Sequence, residues 1–379
     1  MSFEICYIMS LNRFRPQQGK KGDYWILLLA LLLSLIGLAM ISSASVVISY
    51  DRYGYNTYFL TKQAISLGLG IVVMMVLGAI NYKVWEKYSV YLLGIGLLGL
   101  VLVFIPGLGQ KIAGAQRWIE VGPFSLQPSE FMKIIYIVYA GAWLASKKNQ
   151  IRHFLSGVAP FILILGVLIL LIMKQPALST VLVITACAAV MVFVAGASKI
   201  HLFFAGGFGL MFFWALIKSA NYRMQRVLTF LHPLSDPLGA GYQISQSFLA
   251  IGSGGWWGLG FGQSRQKYLY LPQPHIDSIF AIIVEELGFL RSLVIVLIIA
   301  TLIYKGFTIA LKCPDPFGRI VATGISFWIA FQTLVNIGAT TGILPLTGIP
   351  LPFISYGGSA LVALLAGVGI LYNISKYSE

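Results

Sequence analysis

Residues 24–46 read YWILLLALLLSLIGLAMISSASV and contain no charged side chain. About 20 apolar residues are enough for a helix to cross ~30 Å of hydrocarbon at ~1.5 Å per residue. This run therefore predicts a membrane-spanning helix. It is too long for the apolar part of a cleaved signal peptide and lacks a convincing cleavage site, so we expect it to remain as an anchor.

Similar apolar runs recur along the chain. Hydrophobic residues make up 58% of the sequence and charged residues only 10%, which is more apolar surface than a water-soluble core can use. We therefore expect an all-α, polytopic membrane protein with about ten transmembrane helices. The predicted spans are residues 24–46, 58–80, 88–105, 128–146, 155–173, 178–196, 201–219, 277–304, 318–337 and 355–375.

Basic residues in the short loops predict the orientation, because Lys and Arg near span ends tend to stay in the cytoplasm. They precede the first span and follow alternate spans, which places both termini in the cytoplasm. Their distribution also accounts for the net charge of +14 without nucleic acid as a partner. The residues on this side are Arg13, Arg15, Lys20, Lys21, Lys83, Lys87, Lys147, Lys148, Arg152, Lys199, Lys305, Lys312, Arg319 and Lys376.

One connection, residues 220–276 between the seventh and eighth spans, is long and lies outside the cytoplasm in this topology. Loops presented by a rigid scaffold often carry function. Its segment SFLAIGSGGWWGLGFG is too short and too broken by glycine to span, and Trp256 and Trp257 favour the outer interface of the membrane. We expect a cytoplasmic tail over residues 1–23 and a single membrane domain over residues 24–379.

The cysteines and histidines do not predict a metal site. Cys6, Cys187 and Cys313 have neither the spacing of a zinc site nor that of a disulfide framework. No cluster of His, Cys and carboxylate residues has the spacing of metal ligands.

Asp277 lies where the loop sequence YLYLPQPHIDSIF turns into the eighth span. The first-turn amides of that helix would favour its ionised form, whereas partial burial would raise its pKa. A carboxylate in this balance can accept a proton from a hydroxyl group. The alternative is that Asp277 only caps its helix. The carboxylates outside the cytoplasm or within the membrane are Asp51, Glu120, Glu130, Asp236, Asp277, Glu285 and Glu286.

Glu130 and Lys133 stand three residues apart at the outer start of the fourth span. This spacing puts them on one helix face, where they can neutralise each other as a structural pair or orient a ligand. Just upstream, Arg117 can grip phosphate oxygens, and Trp118 can stack on a sugar or lie at the membrane interface.

The long loop is cationic, although the positive-inside rule does not require positive charge outside the cytoplasm. The charges either bind an anionic ligand or are simply solvated. They belong to Arg223, Arg226, Arg265 and Lys267. His275 is a candidate base or a hydrogen-bonding partner of Asp277.

Glu285 and Glu286 lie within the eighth span and must face the bundle interior or water. A structural partner such as Lys133 explains them as well as catalysis does. Residues 346–360, LTGIPLPFISYGGSA, join the last two spans with prolines and a glycine pair. Non-helical backbone at membrane depth is tolerated only against protein or a cavity, so we expect a cavity wall here.

Four stretches resemble one known family: GAQRWIEVGPFSLQPSEFMK, SDPLGAGYQISQSFLAIGSGG, YLYLPQPHIDSIFAIIVEELGF and NIGATTGILPLTGIPLPFISYGGSA. The family is the shape, elongation, division and sporulation (SEDS) family, which comprises FtsW, RodA and SpoVE. The likeness runs in order from the first span to the last. The sequence GFGQSRQKYLYLP is more similar to the division branch of the family than to the elongation branch.

The resemblance implies a ten-helix peptidoglycan glycosyltransferase that polymerises lipid II at the outer face of the bacterial cytoplasmic membrane, at the division septum. Asp277 matches the essential carboxylate, which deprotonates the 4-hydroxyl of an acceptor GlcNAc for attack on the anomeric carbon of a lipid-linked donor. The anomeric centre is inverted and a polyprenyl pyrophosphate leaves. Positive charge from Arg117, from nearby Lys or Arg residues, or from a divalent cation (Mg or Mn) would stabilise this leaving group.

The resemblance also predicts binding residues and partners. Besides lipid II and polyprenyl-pyrophosphate-linked glycan, these partners are membrane lipid, a class B penicillin-binding protein and the division or elongation machinery. Glu285 and Glu286 have a structural or supporting role in this interpretation. The predicted substrate-binding residues are Arg117, Trp118, Glu130, Lys133, Gln246, Arg265, Lys267, His275, Tyr356 and Ser359.

Four positions depart from the family pattern. Ala177 stands where Asp is typical in KQPALST, Gln273 and Ile276 replace the usual Glu and Thr near Asp277, and Arg291 occupies a commonly small position without a partner at i−4 or i−3. Because the carboxylate is missing at Ala177, a non-catalytic function stays open as an alternative: a scaffold that activates a penicillin-binding protein. A lipid II flippase is the other alternative, although no repeat symmetry supports it.

Overall fold

A computed structural model describes residues 21–112, 115–122, 124–147, 159–198, 221–232, 236, 238–239 and 241–378, together with positions 206, 207, 209, 211, 214 and 218. The N-terminal tail with Cys6, the beginning of the predicted fifth span and most of the predicted seventh span, residues 201–219, lie outside the described residues.

Helices make up most of the described chain. Six of them (α1, α3, α4, α10, α11 and α12) are long and apolar enough to cross a membrane, and two shorter apolar helices, α6 and α7, accompany them. The prediction of a polytopic helical membrane protein is confirmed. The helices are α1 (Tyr24–Ala44), α2 (Val46–Tyr53), α3 (Tyr58–Ala79), α4 (Tyr82–Leu102), α5 (Pro128–Ser146), α6 (Ala159–Lys174), α7 (Leu178–Val194), α8 (Asn221–Leu231), α9 (Tyr242–Gly254), α10 (Ile279–Lys312), α11 (Pro316–Thr340) and α12 (Gly358–Ser375).

Several helices extend beyond the apolar runs that predicted them, because polar residues cap their ends. The helix α4 begins at Tyr82, six residues before the predicted span, and the side chain of Asn81 accepts a hydrogen bond from the Lys83 amide. Asp315 caps α11 in the same way through the Gly318 amide. Such caps satisfy amides of the first turn that have no partner within the helix.

Contacts between helix ends show that consecutive spans alternate in direction. At one end of the molecule, Lys305 pairs with Asp23 at 3.0 Å and Lys83 pairs with Asp315 at 2.6 Å. These residues begin or end α1, α4, α10 and α11. The predicted cytoplasmic ends of four spans therefore meet, as the alternating topology requires.

A three-stranded antiparallel sheet lies between α4 and α5, where the all-α prediction expected only a loop. Its strands are β1 (Gly109–Ile112), β2 (Ala115–Val121) and β3 (Phe124–Leu126), in the order β1-β2-β3. Gly109 pairs with Ile119, and Ile119 pairs with Leu126. The segment was missed because its strands are short and their polar and apolar residues alternate only briefly.

The helices α11 and α12 form the centre of the bundle. Within their most apolar windows, 72% and 78% of the residues are buried, against 22% in α3 and in α4. Small residues permit close helix contact in the centre: a Cβ atom at Gly369 would lie 2.4 Å from the Met74 carbonyl oxygen. Close backbone approach at small residues is the usual way in which membrane helices pack.

The helix α10 is broken near its start, whereas the sequence predicted one continuous span. Gly288 has φ 80° and ψ 174°, and the glycine-rich segment after α9 docks against this break. Leu259 and Gly260 donate backbone hydrogen bonds to the carbonyls of Glu285 and Glu286, at 3.0 and 2.9 Å. The long loop is therefore anchored on α10, with Trp256 and Trp257 exposed at 65% and 67%.

Candidate active site

Asp277 lies where the helices α9, α10 and α11 meet. Its Oδ2 atom accepts a hydrogen bond of 3.4 Å from the Gln243 amide, which also donates to Ser278 Oγ at 3.1 Å. Its backbone carbonyl accepts from Asn336 Nδ2 at 2.9 Å, and the same amide reaches the Ile349 carbonyl at 2.8 Å. Side chains from two helices thus fix the loop that carries the carboxylate.

The Asp277 carboxylate is poorly solvated. Its Oδ1 atom is buried and has no hydrogen-bond partner in the described structure. Burial raises the pKa of Asp277 above its ordinary value, and the Gln243 hydrogen bond and the positive charge of Arg226 offset only part of this effect. Of the two opposing influences considered from sequence, burial is the stronger. The capping alternative does not fit, because the N-cap residue of α10 is Ser278.

His275 belongs to an aromatic cluster beside Asp277. Its ring lies 4.3 Å from Phe59 and 5.5 Å from Tyr356, measured between centroids. Burial, with a smaller contribution from the charge of Arg52, lowers the pKa of His275 to about 4. The Nδ1 atom is buried without a hydrogen-bond partner among the described residues, so the expected hydrogen bond to Asp277 is not formed there. His275 is therefore neutral at neutral pH.

Glu130 and Lys133 form the predicted pair on α5. Lys133 Nζ lies 2.8 Å from Glu130 Oε2, and the two side chains are 3% and 9% exposed. The ammonium group also lies 5.6 Å from the centre of the Trp328 ring on α11, where a cation–π interaction adds to the pair. A buried charge pair, directly after the three-stranded sheet, neutralises two groups that would each be costly alone.

The start of α5 and the strand before it are connected to the first turn of α12. Ser359 Oγ accepts a hydrogen bond from the Gln127 amide at 3.0 Å, and it lies 3.4 Å from the Ser125 carbonyl. Ser359 therefore holds the sheet against the central helix. Tyr356 lies three residues earlier and packs edge-on against Phe59 at 4.9 Å.

Arg117 on β2 binds the loop that contains Ala177. Its guanidinium group donates to the Gln175 carbonyl at 2.9 Å and to the Pro176 carbonyl. Ala177, the residue that the resemblance marks as a departure, thus follows two carbonyls bound by a guanidinium group. Trp118 follows on the same strand, opposite Gln110, and is partly buried.

The expected roles of the loop cations change in the structure. Lys267 is only 4% exposed, so it is not a solvated loop charge facing a ligand. Its Nζ atom lies 3.2 Å from Glu286 Oε1 and 3.1 Å from Ser43 Oγ. Arg265 donates its backbone amide to Glu285 Oε1 at 2.9 Å, while its side chain is exposed.

The suggestion that Lys133 is the partner of Glu285 and Glu286 is wrong. Glu285 accepts from Ser264 Oγ at 2.5 Å and from backbone amides, and Glu286 accepts from Ser43 Oγ at 2.6 Å besides Lys267. This buried network joins α1, α10 and the loop 262–267. Arg291 also has a partner, since its guanidinium group donates to the Trp257 carbonyl at 3.2 Å.

Two side chains that contact Asp277 or its loop, Gln243 and Asn336, were absent from the predicted site. Arg226 was predicted only as a loop cation, explained by an anionic ligand or by solvation, and its guanidinium group donates to the Leu346 carbonyl at 3.2 Å. The predicted Gln246 lies about one helical turn beyond Gln243, and its side chain makes no hydrogen bond to the described residues. The segment YQISQS contains two glutamines on one helix face, which was the available sequence signal. Their spacing alone did not show which side-chain amide reaches the Asp277 carboxylate.

The described residues offer no protein-held metal site, because no group of three or more His, Cys, Asp or Glu side chains comes together among them. Asp277 has no second carboxylate among its hydrogen-bonding partners. A divalent cation at this site therefore remains a prediction, and it would be held largely by substrate phosphate.

Comparison with known proteins covers almost the whole chain. Residues 23–379 match the family of FtsW, RodA and SpoVE, described as cell cycle protein. Stage V sporulation protein E of Bacillus subtilis is 45% identical over 94% of this chain and 98% of its own length. A probable peptidoglycan glycosyltransferase FtsW of Geobacter metallireducens is 40% identical over 97% and 98%.

Two solved structures share the fold. A chain from a study of how a peptidoglycan synthase complex coordinates polymerization and crosslinking aligns with a TM-score of 0.77 and 27% identity, over 94% of this chain and 99% of that one. The rod shape determining protein RodA of Thermus thermophilus aligns with a TM-score of 0.69 and 27% identity, over 94% and 98%. This chain belongs to the FtsW, RodA and SpoVE family.

Proposed function

We propose that this protein is a peptidoglycan glycosyltransferase that polymerises lipid II, with Asp277 as its general base. Within the family context, the observation that carries the assignment of Asp277 is its carboxylate: half-buried, with one oxygen free of hydrogen bonds, at a junction of three helices. A carboxylate with a raised pKa is the type of group that removes a proton from a hydroxyl near neutral pH.

This geometry supports the following reaction. Asp277 accepts the proton of the acceptor 4-hydroxyl while the hydroxyl oxygen forms a bond to the anomeric carbon of the donor sugar. The bond from that carbon to the diphosphate breaks on the opposite face, and the diphosphate leaves with the electron pair. The configuration at the anomeric carbon is inverted. The Gln243 amide, at 3.4 Å from Oδ2, holds the carboxylate in position for this transfer.

Cations near Asp277 support the departure of the diphosphate. Arg226 is exposed, and its charge acts on Asp277; Arg52 is exposed, and its charge acts on His275. Positive charge placed where negative charge develops lowers the barrier. These two arginines are better candidates than Lys267, whose charge is neutralised by Glu286. A divalent cation that arrives with the diphosphate remains compatible with this arrangement, although no step here depends on it.

The setting of the reaction is part of the proposal. The protein spans the bacterial cytoplasmic membrane with both termini inside, and the Asp277 end faces outward. It works with a class B penicillin-binding protein that crosslinks the new strand, in the septum formed during division. The similarity to a sporulation protein and to FtsW proteins supports septal synthesis over lateral elongation.

Polymerisation of fluorescent lipid II by the purified protein with its partner, in proteoliposomes, tests the proposal. We expect wild-type protein to make glycan strands and Asp277→Asn to lose activity by about 10²- to 10⁴-fold, the usual contribution of a general base. Glu120→Gln is the matched control, because it neutralises an exposed carboxylate on β2.

Three results would contradict the proposal. Normal strand synthesis by a folded Asp277→Asn protein would remove this residue from the mechanism. Translocation of lipid II across the bilayer without strand synthesis would instead favour the flippase. Stimulation of the penicillin-binding protein that is independent of Asp277, without polymerisation, would favour the scaffold.

A further inference from the structure

Exposed tyrosines cluster on the short helix α2 and the loop after it, at the end of the molecule that contains Asp277. The side chains of Tyr50, Tyr53 and Tyr55 are 67%, 44% and 50% exposed. A surface recess of about 380 Å³ adjoins them. It is lined by Val46, Val47, Tyr50, Asp51, Asn56 and Leu269.

A row of aromatic rings leads from this surface to the loop that carries Asp277. Tyr53 stacks on Tyr58 with 3.6 Å between ring centroids and an interplanar angle of 11°. Tyr58 meets Phe59 edge-on at 5.3 Å, and Phe59 contacts the His275 ring at 4.3 Å. We name Tyr53, Tyr58, Phe59 and His275 the aromatic ladder; its inner end lies two residues before Asp277.

The inner part of the ladder is fixed by hydrogen bonds. The Tyr58 amide donates to Ser49 Oγ at 3.0 Å, which joins α3 to α2. The Tyr356 amide donates to the His275 carbonyl at 2.8 Å, and the Gly357 amide donates to Gln63 Oε1 at 3.1 Å. The outer rings therefore hold a fixed position relative to the catalytic loop.

The composition of this surface matches a saccharide. A pyranose ring has an apolar face that stacks on aromatic rings and a rim of hydroxyl groups that require polar partners. The recess supplies both, since Asp51 and Asn56 line it beside Tyr50. Anchoring in the membrane interface would explain the tyrosines, but not a concave surface that combines them with a carboxylate and an amide.

We propose that the recess and the exposed tyrosines beside it, Tyr50 and Tyr53, bind the glycan strand away from the bond formed at Asp277. This inference rests on the proposed function, because it takes Asp277 as the point where a sugar hydroxyl reacts. A strand that reacts there must continue away from the loop 272–278. The inner rings of the ladder, Phe59 and His275, are only 7% and 3% exposed, so they fix the position of the exposed tyrosines of α2 relative to that loop and do not contact the strand themselves.

Direct binding of glycan tests the inference without requiring turnover. Full-length protein in nanodiscs is titrated calorimetrically with lipid-free GlcNAc–MurNAc oligosaccharides of increasing length. We expect affinity to rise with length, and Tyr53→Leu to weaken binding of the longer oligosaccharides about five- to tenfold, the loss expected for one stacked ring. Leucine keeps the surface apolar, so membrane insertion is preserved.

Three further variants complete the design. Tyr304→Leu removes a tyrosine that is 70% exposed on α10, towards the opposite end of the molecule, and is expected to bind like wild type. Asp277→Asn is expected to bind oligosaccharides although it does not polymerise. Tyr50→Leu provides a second test of the surface if thermal unfolding shows that Tyr53→Leu has lost its fold.

The outcomes separate this inference from the proposed function. Equal binding by wild type and the α2 variants, or no rise of affinity with length, overturns the glycan site even if lipid II is polymerised normally. Binding by wild type without polymerisation of lipid II would contradict the proposed function and retain the site. Normal glycan binding by Tyr53→Leu with lost stimulation by a penicillin-binding protein would show that the surface is a protein contact, and would also overturn the inference.

Discussion

Among the described residues, the Asp277 carboxylate receives one long side-chain hydrogen bond, from Gln243 to Oδ2, and the buried Oδ1 has no donor. A carboxylate fully exposed to water would be too weak a base. A carboxylate with a full set of hydrogen bonds would also accept a proton poorly, because those bonds stabilise its ionised form. The intermediate environment therefore suits a base that must take up and release one proton in each cycle.

The Gln243 hydrogen bond should set the pH dependence of the reaction. A base must be ionised to act, so the rate rises with pH through its pKa. Gln243→Leu removes a donor that favours the ionised carboxylate, so the pKa rises further. We expect the acid limb of the pH–rate profile to move to higher pH by about half to one unit, equivalent to a hydrogen bond of ~1 kcal/mol.

The measurement is the initial rate of lipid II polymerisation as a function of pH. Gln263→Leu is the matched control, because it removes an exposed glutamine and should leave the limb in place. A shift of the limb to lower pH in Gln243→Leu would show that this amide does not stabilise the ionised form.

The sequence predicts the members of the candidate site that belong to a local motif. It does not predict the members that reach the site only through tertiary packing. Asp277, Glu130 and Lys133 follow from their position at a helix start or from i, i+3 spacing. Gln243 and Asn336 act through contacts across 34 and 59 residues of sequence, which no local pattern encodes. The roles of these residues in catalysis and substrate binding remain predictions.

At the scale of elements, a buried polar network joins the loop 262–267 to α1 and α10. Its members are Glu285, Glu286, Lys267 and Ser43. The two carboxylates accept hydrogen bonds from backbone amides of the loop 262–267, and Ser43 Oγ of α1 donates a hydrogen bond to Glu286 at 2.6 Å. The loop thus obtains a fixed conformation without a secondary-structure ladder of its own. It continues directly into the segment that carries His275 and Asp277.

Breaking one side of this network should be strongly destabilising. Glu286→Gln leaves the Lys267 ammonium group buried without its counter-charge, because the two side chains are 0% and 5% exposed. We expect a loss of about 3–5 kcal/mol in the free energy of unfolding, seen as a lower melting temperature in detergent. The double variant with Lys267→Met should recover part of that loss.

A matched ion pair supplies the control for this prediction. Lys83 and Glu86 lie 3.7 Å apart with side chains 39% and 35% exposed, so Glu86→Gln should cost at most about 1 kcal/mol. Equal melting temperatures for the two single variants would show that the Glu286 charge is not needed by Lys267.

The break in α10 depends on Gly288. Its φ of 80° is unfavourable for any side chain, and a Cβ atom there would lie 2.3 Å from the Gly258 amide nitrogen. Gly288→Ala should therefore cost about 2 kcal/mol or more in unfolding free energy and release the glycine-rich segment from α10. Thermal unfolding and protease sensitivity around Trp256 would measure the two effects.

Gly94→Ala serves as the comparison, since no atom lies within 4 Å of a Cβ built at this helical glycine. It should be neutral. Unchanged protease resistance in Gly288→Ala would mean that the segment docks without the left-handed glycine. The sequence showed the glycines of this region but not the break, because the apolar run continues through Gly288 and predicts an unbroken helix.

At the scale of the whole molecule, the alternating spans place two chemically different ends on opposite sides. One end brings together Asp23, Lys305, Lys83 and Asp315 in ion pairs. The other end contains Asp277, the three-stranded sheet and the aromatic ladder. Hydropathy and loop charge predicted this alternation because both signals are local. They could not predict that α11 and α12 are central, since apolar helices look alike whether lipid or protein covers them.

Labelling of introduced cysteines tests the orientation of the two ends. Glu120 lies exposed on β2 and Glu86 lies half-exposed near the start of α4, so each can be replaced by cysteine without disturbing the bundle. The native Cys6, Cys187 and Cys313 are first replaced by alanine. The positive-inside rule places the end with Lys83 and Lys305 in the cytoplasm. We therefore expect an impermeant maleimide to label Glu120→Cys on intact spheroplasts and Glu86→Cys only after permeabilisation. The opposite pattern would place Asp277 in the cytoplasm, where a base for polymerising an externally displayed lipid-linked sugar has no substrate.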